Sequence, residues 1–196
     1  MAFIGLRYPV IAKLASHTDG SEPTYEAGMV MGHAMSADLQ ITRNNNPLRA
    51  DDVEVENDNG ITSMQITEGV DDIAEDARVY MGLLKEKTAS GQGAVTEYYE
   101  TDSAAYDLGH GYIRVRRKDN VVTYQAVWMF SVMFSEDSEA TQTKGESIEW
   151  QTPTVTGRVH ALDVGSDIGV AFRKKANFTT EAAAKAWLKN LAGITP

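Results

Sequence analysis

The sequence contains no cysteine, and it has only five prolines and four histidines among 196 residues. Without cysteine, the chain has no disulfide scaffold, no thiolate nucleophile and no Cys-ligated zinc site. It also has no apolar run long enough for a membrane-spanning helix. Arg7 and Pro9 interrupt the N-terminal apolar run, which therefore does not resemble a signal peptide. We expect a soluble, single-domain protein (residues 1–196) that is made in a reducing cytoplasm.

The chain is acidic, and its negative charge is concentrated in one segment. Its 28 Asp and Glu outnumber its 18 Lys and Arg, for a formal net charge of −10. Residues 51–110 alone carry 15 acidic and 3 basic residues, and the remainder is close to neutral. This balance argues against a surface that grips nucleic acid, because such binding depends on Lys and Arg at phosphates. The acidic segment is either a solvated face or a surface that presents a strong negative field.

Alternation of apolar and polar residues predicts a mainly β fold, with antiparallel sheets arranged as a sandwich or barrel and one or two flanking α-helices. Residues 109–134 are expected to form one long hairpin that turns at 118–120. Its even positions from Val122 to Phe134 form an apolar row, which predicts a core face. The odd positions are partly apolar and indicate that the second face also meets protein. Further strands are expected at 35–42, 61–67, 148–150, 155–161 and 168–172, with a bend at Thr152-Pro153 and a turn at Gly165.

Two helices are predicted from helical spacing and terminal signals. The first begins at the acidic pair Asp71-Asp72 and places apolar residues at helical spacing as far as Leu84. The second covers about 180–191, with Thr180 as its N-cap and Gly193 ending it. Its buried stripe is expected to consist of Trp187, Leu188 and Leu191.

A long loop is expected at about 43–60, between two predicted strands. Connections of this length inside a compact domain are usually functional or disordered. Leu48, Val53 and Val55 lie among its polar residues, which is typical of an arm that contacts a neighbour. A second loop, over 135–145, is acidic and is expected to be a flexible excursion.

No local motif indicates chemistry. The four histidines show no HExxH or His-x-His spacing, and the acidic run 54–60 does not align with an EF-hand loop. The sequence has no phosphate-binding loop and no GxSxG elbow. We therefore predict no catalytic residue, no metal ligand and no cofactor. The one basic cluster, over 114–118, is expected to contact an acidic protein partner.

The chain closely resembles the major tail (tube) proteins of phages with long, flexible, non-contractile tails. The similarity runs from about residue 4 to the C-terminal helix, in the same order and without a large gap. In the first half it is carried by GLRYPV (5–10), ADLQITR (37–43), PL (47–48), ADD (50–52) and DNGIT (58–62). In the second half it is carried by YIRVRR (112–117), YQAVW (124–128) and QTKGESIEWQTP (142–153).

The resemblance implies a β-sandwich-like subunit, with no enzymatic activity, that closes into homohexameric rings stacked head to tail. Hairpins of the subunits would form a continuous inner barrel, and the genome DNA would leave through the bore without specific binding. The resemblance further implies a tape measure protein and a tail terminator as partners, no membrane contact, and a place in the virion tail after assembly in the host cytoplasm.

Three sets of residues are candidates for the surfaces that such a tube needs. The candidates for the inter-ring loop are Arg43, Asn45, Pro47, Leu48, Arg49, Asp51 and Asp52. The candidates for the ring-wall hairpin are Arg114, Arg116, Gln125, Val127 and Met129. The candidates for an acidic surface that lines or approaches the lumen are Glu54, Glu56, Asp58 and Glu68.

Other functions remain open from the sequence. The tube of a phage-derived secretion device would share the same architecture. A carbohydrate-binding β-sandwich would need exposed Trp and Tyr, whereas Trp128 and Trp150 lie in the apolar phase of strands and Trp187 lies on a helix stripe. An enzyme whose residues converge from distant positions is a third alternative, without positive evidence.

Overall fold

The computed structural model describes residues 2–91, 94–136, 143 and 152–194. Within these ranges the chain forms fourteen strands and two helices, which confirms the predicted mainly β fold with flanking helices. The strands are β1 (Ala2–Ser16), β2 (Thr24–Val30), β3 (Ala34–Arg43), β4 (Asn46–Ala50), β5 (Val53–Asp58), β6 (Ile61–Val70), β7 (Leu84–Thr88), β8 (Thr96–Glu100), β9 (Leu108–Lys118), β10 (Val121–Ser135), β11 (Thr154–His160), β12 (Leu162–Asp163), β13 (Val170–Ala171) and β14 (Arg173–Phe178). The helices are α1 (Glu75–Met81) and α2 (Glu181–Ala192).

One antiparallel sheet of eight strands organises the molecule. Seven strands follow the order β2-β1-β9-β10-β11-β6-β3, and β14 pairs beside β10. The strand β10 is 15 residues long and has β9 on one edge. Its other edge pairs first with β14, over Tyr124–Met129, and then with β11, over Ser131–Ser135. The sheet therefore divides halfway along β10, as in a sandwich. Three separate hairpins, β4–β5, β7–β8 and β12–β13, complete the described strands.

The long hairpin predicted over 109–134 is confirmed as β9 and β10, with Asp119 and Asn120 in its turn. Both turn residues have positive φ, 50° and 63°. Two-residue hairpin turns need this left-handed backbone, and Asp and Asn adopt it more readily than most residues do. The turn chemistry and the alternating flanks together set the register.

The two faces of β10 belong to two hydrophobic clusters of the same chain. One cluster contains Val127 and Met129 and is covered by β6 and α1. The other contains Trp128 and Phe130 and is covered by α2 through Leu188. The second face of β10 thus meets protein, as expected, but that protein is the chain's own remaining structure.

The prediction of a single apolar row from Val122 to Phe134 is wrong. A register shift lies between Met129 and Val132 in the β9–β10 pairing. Because a bulge adds one residue to a strand, the side-chain alternation changes face there. Val132 and Phe134 consequently join Val127 and Met129 in the first cluster, while Val122 is 38% exposed near the hairpin turn.

The C-terminal helix is confirmed, with a small shift of its buried stripe. The hydroxyl of Thr180 accepts a hydrogen bond from the backbone N–H of Ala183 at 3.3 Å, and Gly193 ends the helix with φ 66°. The fully buried residues of α2 are Ala184, Leu188 and Ala192. Trp187 and Leu191 are only partly buried, because the stripe that faces the sheet lies slightly further around the helix than predicted.

The first helix is shorter than predicted and begins at Glu75. The carboxylate of Asp71, predicted to open the helix, instead accepts hydrogen bonds from the N–H and the Nδ1 of His33, each at 2.8 Å. This contact holds the chain in a turn before α1. Leu84 lies beyond the helix, at the start of β7.

Some predictions lie outside the described residues, namely the strand over 148–150, Trp150 and most of the loop over 135–145. In the part of the chain that the structure describes, neither helix has the length and apolar character needed to cross a membrane.

Candidate functional site

The segment predicted as a long loop over 43–60 is an ordered β-hairpin, here called the arm (residues 46–58). Its strands β4 and β5 pair from Asn46 opposite Asp58 to Ala50 opposite Val53. The turn residues Asp51 and Asp52 have φ of 51° and 63°, a two-residue turn of the same kind as in the β9–β10 hairpin. The prediction of a loop is wrong. The two strands are only five and six residues long, so the alternation of apolar and polar residues in each is too short to indicate a strand. At about 3.3 Å per residue the arm extends about 20 Å from the sheet.

Hydrogen bonds fasten the arm at its base. The backbone N–H of Asn44 donates to the carbonyl of Gly60 at 2.8 Å, which continues the pairing of β3 with β6. The Asp58 carboxylate accepts from the Gly60 N–H at 3.1 Å and from Nδ2 of Asn44 at 2.6 Å. These donors, the Gly60 N–H foremost, lower the pKa of Asp58. The arm is therefore anchored to the sheet through its last residue, Asp58, and the flanking residues Asn44 and Gly60.

The surface of the arm combines apolar and anionic side chains. All residues of β4 and β5 are exposed, including Leu48, Val53 and Val55, which are 60%, 64% and 63% exposed. The sequence of the arm contains five carboxylates and a single basic residue, Arg49. The exposed residues of the two predicted sets are Arg43, Asn45, Pro47, Leu48, Arg49, Asp51, Asp52, Glu54, Glu56 and Asp58. The structure thus unites the loop candidates and most of the acidic candidates in one hairpin, with Arg43 at its foot.

Glu68 was predicted to lie on the acidic surface, and that prediction is wrong. Its side chain is completely buried, and its Oε2 lies 2.9 Å from Nε2 of His110, which is also completely buried. Nδ1 of His110 lies 3.1 Å from the carbonyl oxygen of Val10. The side chain of Glu68 is thus directed into the molecule. The sequence carries no local signal for this pair, because 42 positions separate its members along the chain.

Three of the five hairpin candidates are not at the surface. Val127 and Met129 are fully buried, and Gln125 is 5% exposed. Their prediction as ring-wall residues is wrong, because the chain's own second layer covers this face of β10. Arg114 and Arg116 are partly buried and still reach the surface.

A set of polar contacts holds these two arginines in place. Nη2 of Arg114 donates to Oε1 of Gln125 at 2.8 Å, and Nε2 of Gln125 donates to Oδ1 of Asn177 at 2.9 Å. Nη1 of Arg116 donates to the same Asn177 oxygen at 3.3 Å. The ring of Phe3 lies 4.5 Å from the guanidinium carbon of Arg114 and 5.1 Å from that of Arg116. The two cations are fixed by neutral groups and an aromatic ring.

Beside these arginines the strand β14 adds Arg173 and Lys175. The pKa of each of these two groups is lowered, mainly because burial removes water from around the charged form. Repulsion from Arg114 lowers both pKa values further. Repulsion from Arg173 and Arg116 further lowers the pKa of Lys175. The four side chains thus form one concentrated cationic cluster.

The cationic cluster borders a depression of about 610 Å³, here called the basic groove. Residues of β3, β6, β13 and β14 and of the link before β14 line it, among them Ile41, Arg43, Met64, Phe172, Arg173 and Lys175. Within the described ranges, no carboxylate lies within 4.0 Å of the charged nitrogens of Arg43, Arg114, Arg116, Arg173 or Lys175. The sequence indicated only 114–118 as basic, because Arg43 and Arg173 are brought together by the sheet.

The exposed features are thus an anionic arm with apolar side chains and a cationic groove with apolar walls. In the described part of the chain, no three His, Asp or Glu side chains converge as a metal site would require. Of the predicted sets, the structure brings together the arm residues and separates Glu68, Gln125, Val127 and Met129 from them. No model of a known protein family and no curated protein sequence matches this chain.

Proposed function

We propose that this chain is the structural subunit of a tube that is built from copies of itself, the tail tube of a long-tailed phage. The proposal starts from the resemblance of residues 4–191 to that class of protein. A mainly β subunit with an antiparallel sheet and a C-terminal helix against it agrees with what the resemblance implies.

The arm is the observation that carries the proposal. An isolated two-stranded hairpin is marginal in water, and this one keeps every residue of its strands exposed. Burial of an aliphatic side chain such as Leu48, Val53 or Val55 contributes about 1.5–3 kcal/mol. The arm is ordered, but these three aliphatic side chains are exposed and are not buried in the subunit's own core. Such a projection is suited to a contact with another molecule.

The arm and the groove are two different surfaces of the subunit, and this difference favours an open assembly. When a protrusion on one copy binds a different surface on the next, the contact is heterologous and repeats without closing unless symmetry closes it. In a tube, lateral contacts close the hexameric ring and axial contacts stack the rings head to tail. The role is structural, without catalysis or cofactor, in the virion tail after assembly in the host cytoplasm.

The other partners follow from the same proposal. A tape measure protein would occupy the bore during assembly, and a tail terminator would cap the last ring. Genome DNA would pass through the bore without specific binding, because carboxylates repel phosphate whereas Lys and Arg would hold it. Glu54, Glu56 and Asp58 are the acidic candidates that are exposed on the subunit. A bore lined mainly by Lys and Arg in a cryo-EM reconstruction would contradict this part.

Negative-stain electron microscopy of the purified protein tests the proposal directly. We expect rings or tubes of uniform diameter, with a central bore. A chain that stays monomeric over a range of ionic strengths and is absent from virions would refute the proposal. The tube of a secretion device would give the same particles, and mass spectrometry of purified virions separates the two.

A further inference from the structure

We propose that the basic groove receives the arm of a second copy of this chain. This inference rests on the proposed self-assembly and specifies the surface to which the arm binds. It depends on two features of the described residues, the unneutralised charge of the groove and the opposite charge of the arm.

Among the described residues, no carboxylate neutralises the cations in and beside the groove. Arg173 and Lys175 line the groove. Arg114 and Arg116 lie close enough to lower the pKa of Lys175 by repulsion, and their described hydrogen bonds are to the neutral groups of Gln125 and Asn177. Phe3, Gln125 and Asn177 hold the guanidinium groups in position, so little side-chain entropy is lost when an anion binds.

The arm offers the complementary surface. Glu54 and Glu56 supply carboxylates that can accept from guanidinium groups, a pairing that is stronger than one between neutral groups. In this contact the two carboxylates lie between copies of the chain, and of the exposed acidic candidates only Asp58 is left for the bore. Apolar contacts are available on both sides, because Leu48 of the arm is 60% exposed and Val170 at the groove is 70% exposed. Charge and apolar surface therefore match in kind.

The chain's own arm does not occupy the groove. Arg43 lines the groove and precedes the arm, and Ile61, also in the groove lining, follows it. All residues of β4 and β5 are nevertheless exposed, so the arm of the same chain does not pack into the groove beside its base. The arm that fits the groove is thus one from a neighbouring copy.

Two variants of the full chain separate the two halves of this contact. Deletion of residues 45–57 gives a subunit with a groove and no arm. Arg173→Glu with Lys175→Glu gives a subunit with an arm and a groove of reversed charge. Lys85→Glu with Lys87→Glu, on the exposed strand β7, is the control with the same change of charge elsewhere. Circular dichroism and thermal melting establish that each variant is folded.

We expect that neither variant alone builds tubes. In a mixture, the arm of the groove-reversed chain can bind the groove of the arm-deleted chain, so analytical ultracentrifugation should detect complexes that contain equal amounts of the two. The control should assemble as the unaltered chain does. Reversal of the groove should weaken self-association at least about tenfold at low salt, and added salt should weaken the unaltered contact. Glu54→Lys with Glu56→Lys should restore association to the groove-reversed chain.

The outcomes distinguish the inference from the proposed function. If the unaltered chain builds tubes and groove reversal has no effect, the groove does not bind the arm, and the tube proposal stands. If neither the unaltered chain nor the mixture associates, both are wrong. If the armless chain binds a short DNA duplex through Arg173 and Lys175 while the mixture does not associate, the groove binds a polyanion and the inference is overturned.

Discussion

Nε2 of His110 in β9 lies 2.9 Å from Oε2 of Glu68 in β6, and solvent reaches neither side chain. The strands β9 and β6 are not neighbours in the sheet, so this polar contact crosses the interior between its two parts. The ring of Phe134 packs against the imidazole at a centroid distance of 5.3 Å, nearly perpendicular to it. The pair links the two layers at one defined relative position.

Truncation of Glu68 should strongly destabilise the subunit. We expect Glu68→Ala to lower the free energy of unfolding by about 1–3 kcal/mol, because it leaves the buried Nε2 of His110 without a polar group beside it. Glu68→Gln keeps a group that can bond Nε2 and should cost less. Glu56→Ala on the exposed arm is the control for loss of a carboxylate. Urea denaturation measures all three, and equal losses for Ala and Gln at position 68 would contradict a specific pairing.

The pKa of Asp58 should report the integrity of the arm's base. Because the folded state lowers this pKa below its ordinary value of 3.8, the carboxylate stabilises the base above that pH. The contribution is lost as pH falls through the lowered folded-state pKa. Asn44→Ala removes one donor and should raise the pKa partway towards 3.8, since the larger effect, that of the Gly60 N–H, remains.

Carbon-detected NMR titration of the Asp58 carboxyl measures this change. Asn57→Ala is the matched control, because Asn57 donates to Asn45 at the same base without contacting Asp58. An Asp58 pKa that is the same in the unaltered chain and in Asn44→Ala would show that the Asn44 side chain does not bond the Asp58 carboxylate.

The regular parts of the fold were predictable because their determinants are local. Alternation and the Asp119-Asn120 turn define the β9–β10 hairpin, and the Thr180 cap and Gly193 define α2. The change of face after Met129 was not predictable, since a bulge depends on the pairing of β10 with β9 rather than on the sequence of either strand.

The residues of the candidate surfaces also fall into those that could be predicted from local sequence and those that could not. From their isolation among polar residues, Leu48, Val53 and Val55 were predicted to lie on an arm that contacts a neighbour; on the subunit all three are exposed, and the contact itself stays a prediction. The burial of Glu68 and the assembly of Arg43 and Arg173 at one groove depend on contacts between distant strands. A strand pattern predicts which residues share a face, but it does not tell which other strand covers that face.

Close packing of Trp128 predicts a stability difference between two glycines of neighbouring strands. A Cβ at Gly109 would lie 2.4 Å from Cζ2 of Trp128 and 2.5 Å from Cε1 of Tyr25. Gly109→Ala should therefore destabilise the subunit by about 1–3 kcal/mol through overpacking. Gly5→Ala is the control, because its Cβ would meet Val115 at an ordinary 3.5 Å. Comparable unfolding midpoints for the two variants would contradict the packing described for this cluster.

Deletion of residues 45–57 should leave a folded subunit that does not polymerise. The deletion joins Asn44 to Asp58 and leaves four residues between β3 and β6, with Asp58-Asn59 as the two-residue link between the paired Asn44 and Gly60. Antiparallel strands accept such short turns, and the bond from the Asn44 N–H to the Gly60 carbonyl closes the pair. Because the strands of the arm contribute no buried residue, the melting temperature should change little. Normal tubes from this variant, seen by electron microscopy, would show that the arm is dispensable, whereas an unfolded variant would show that the arm stabilises the sheet.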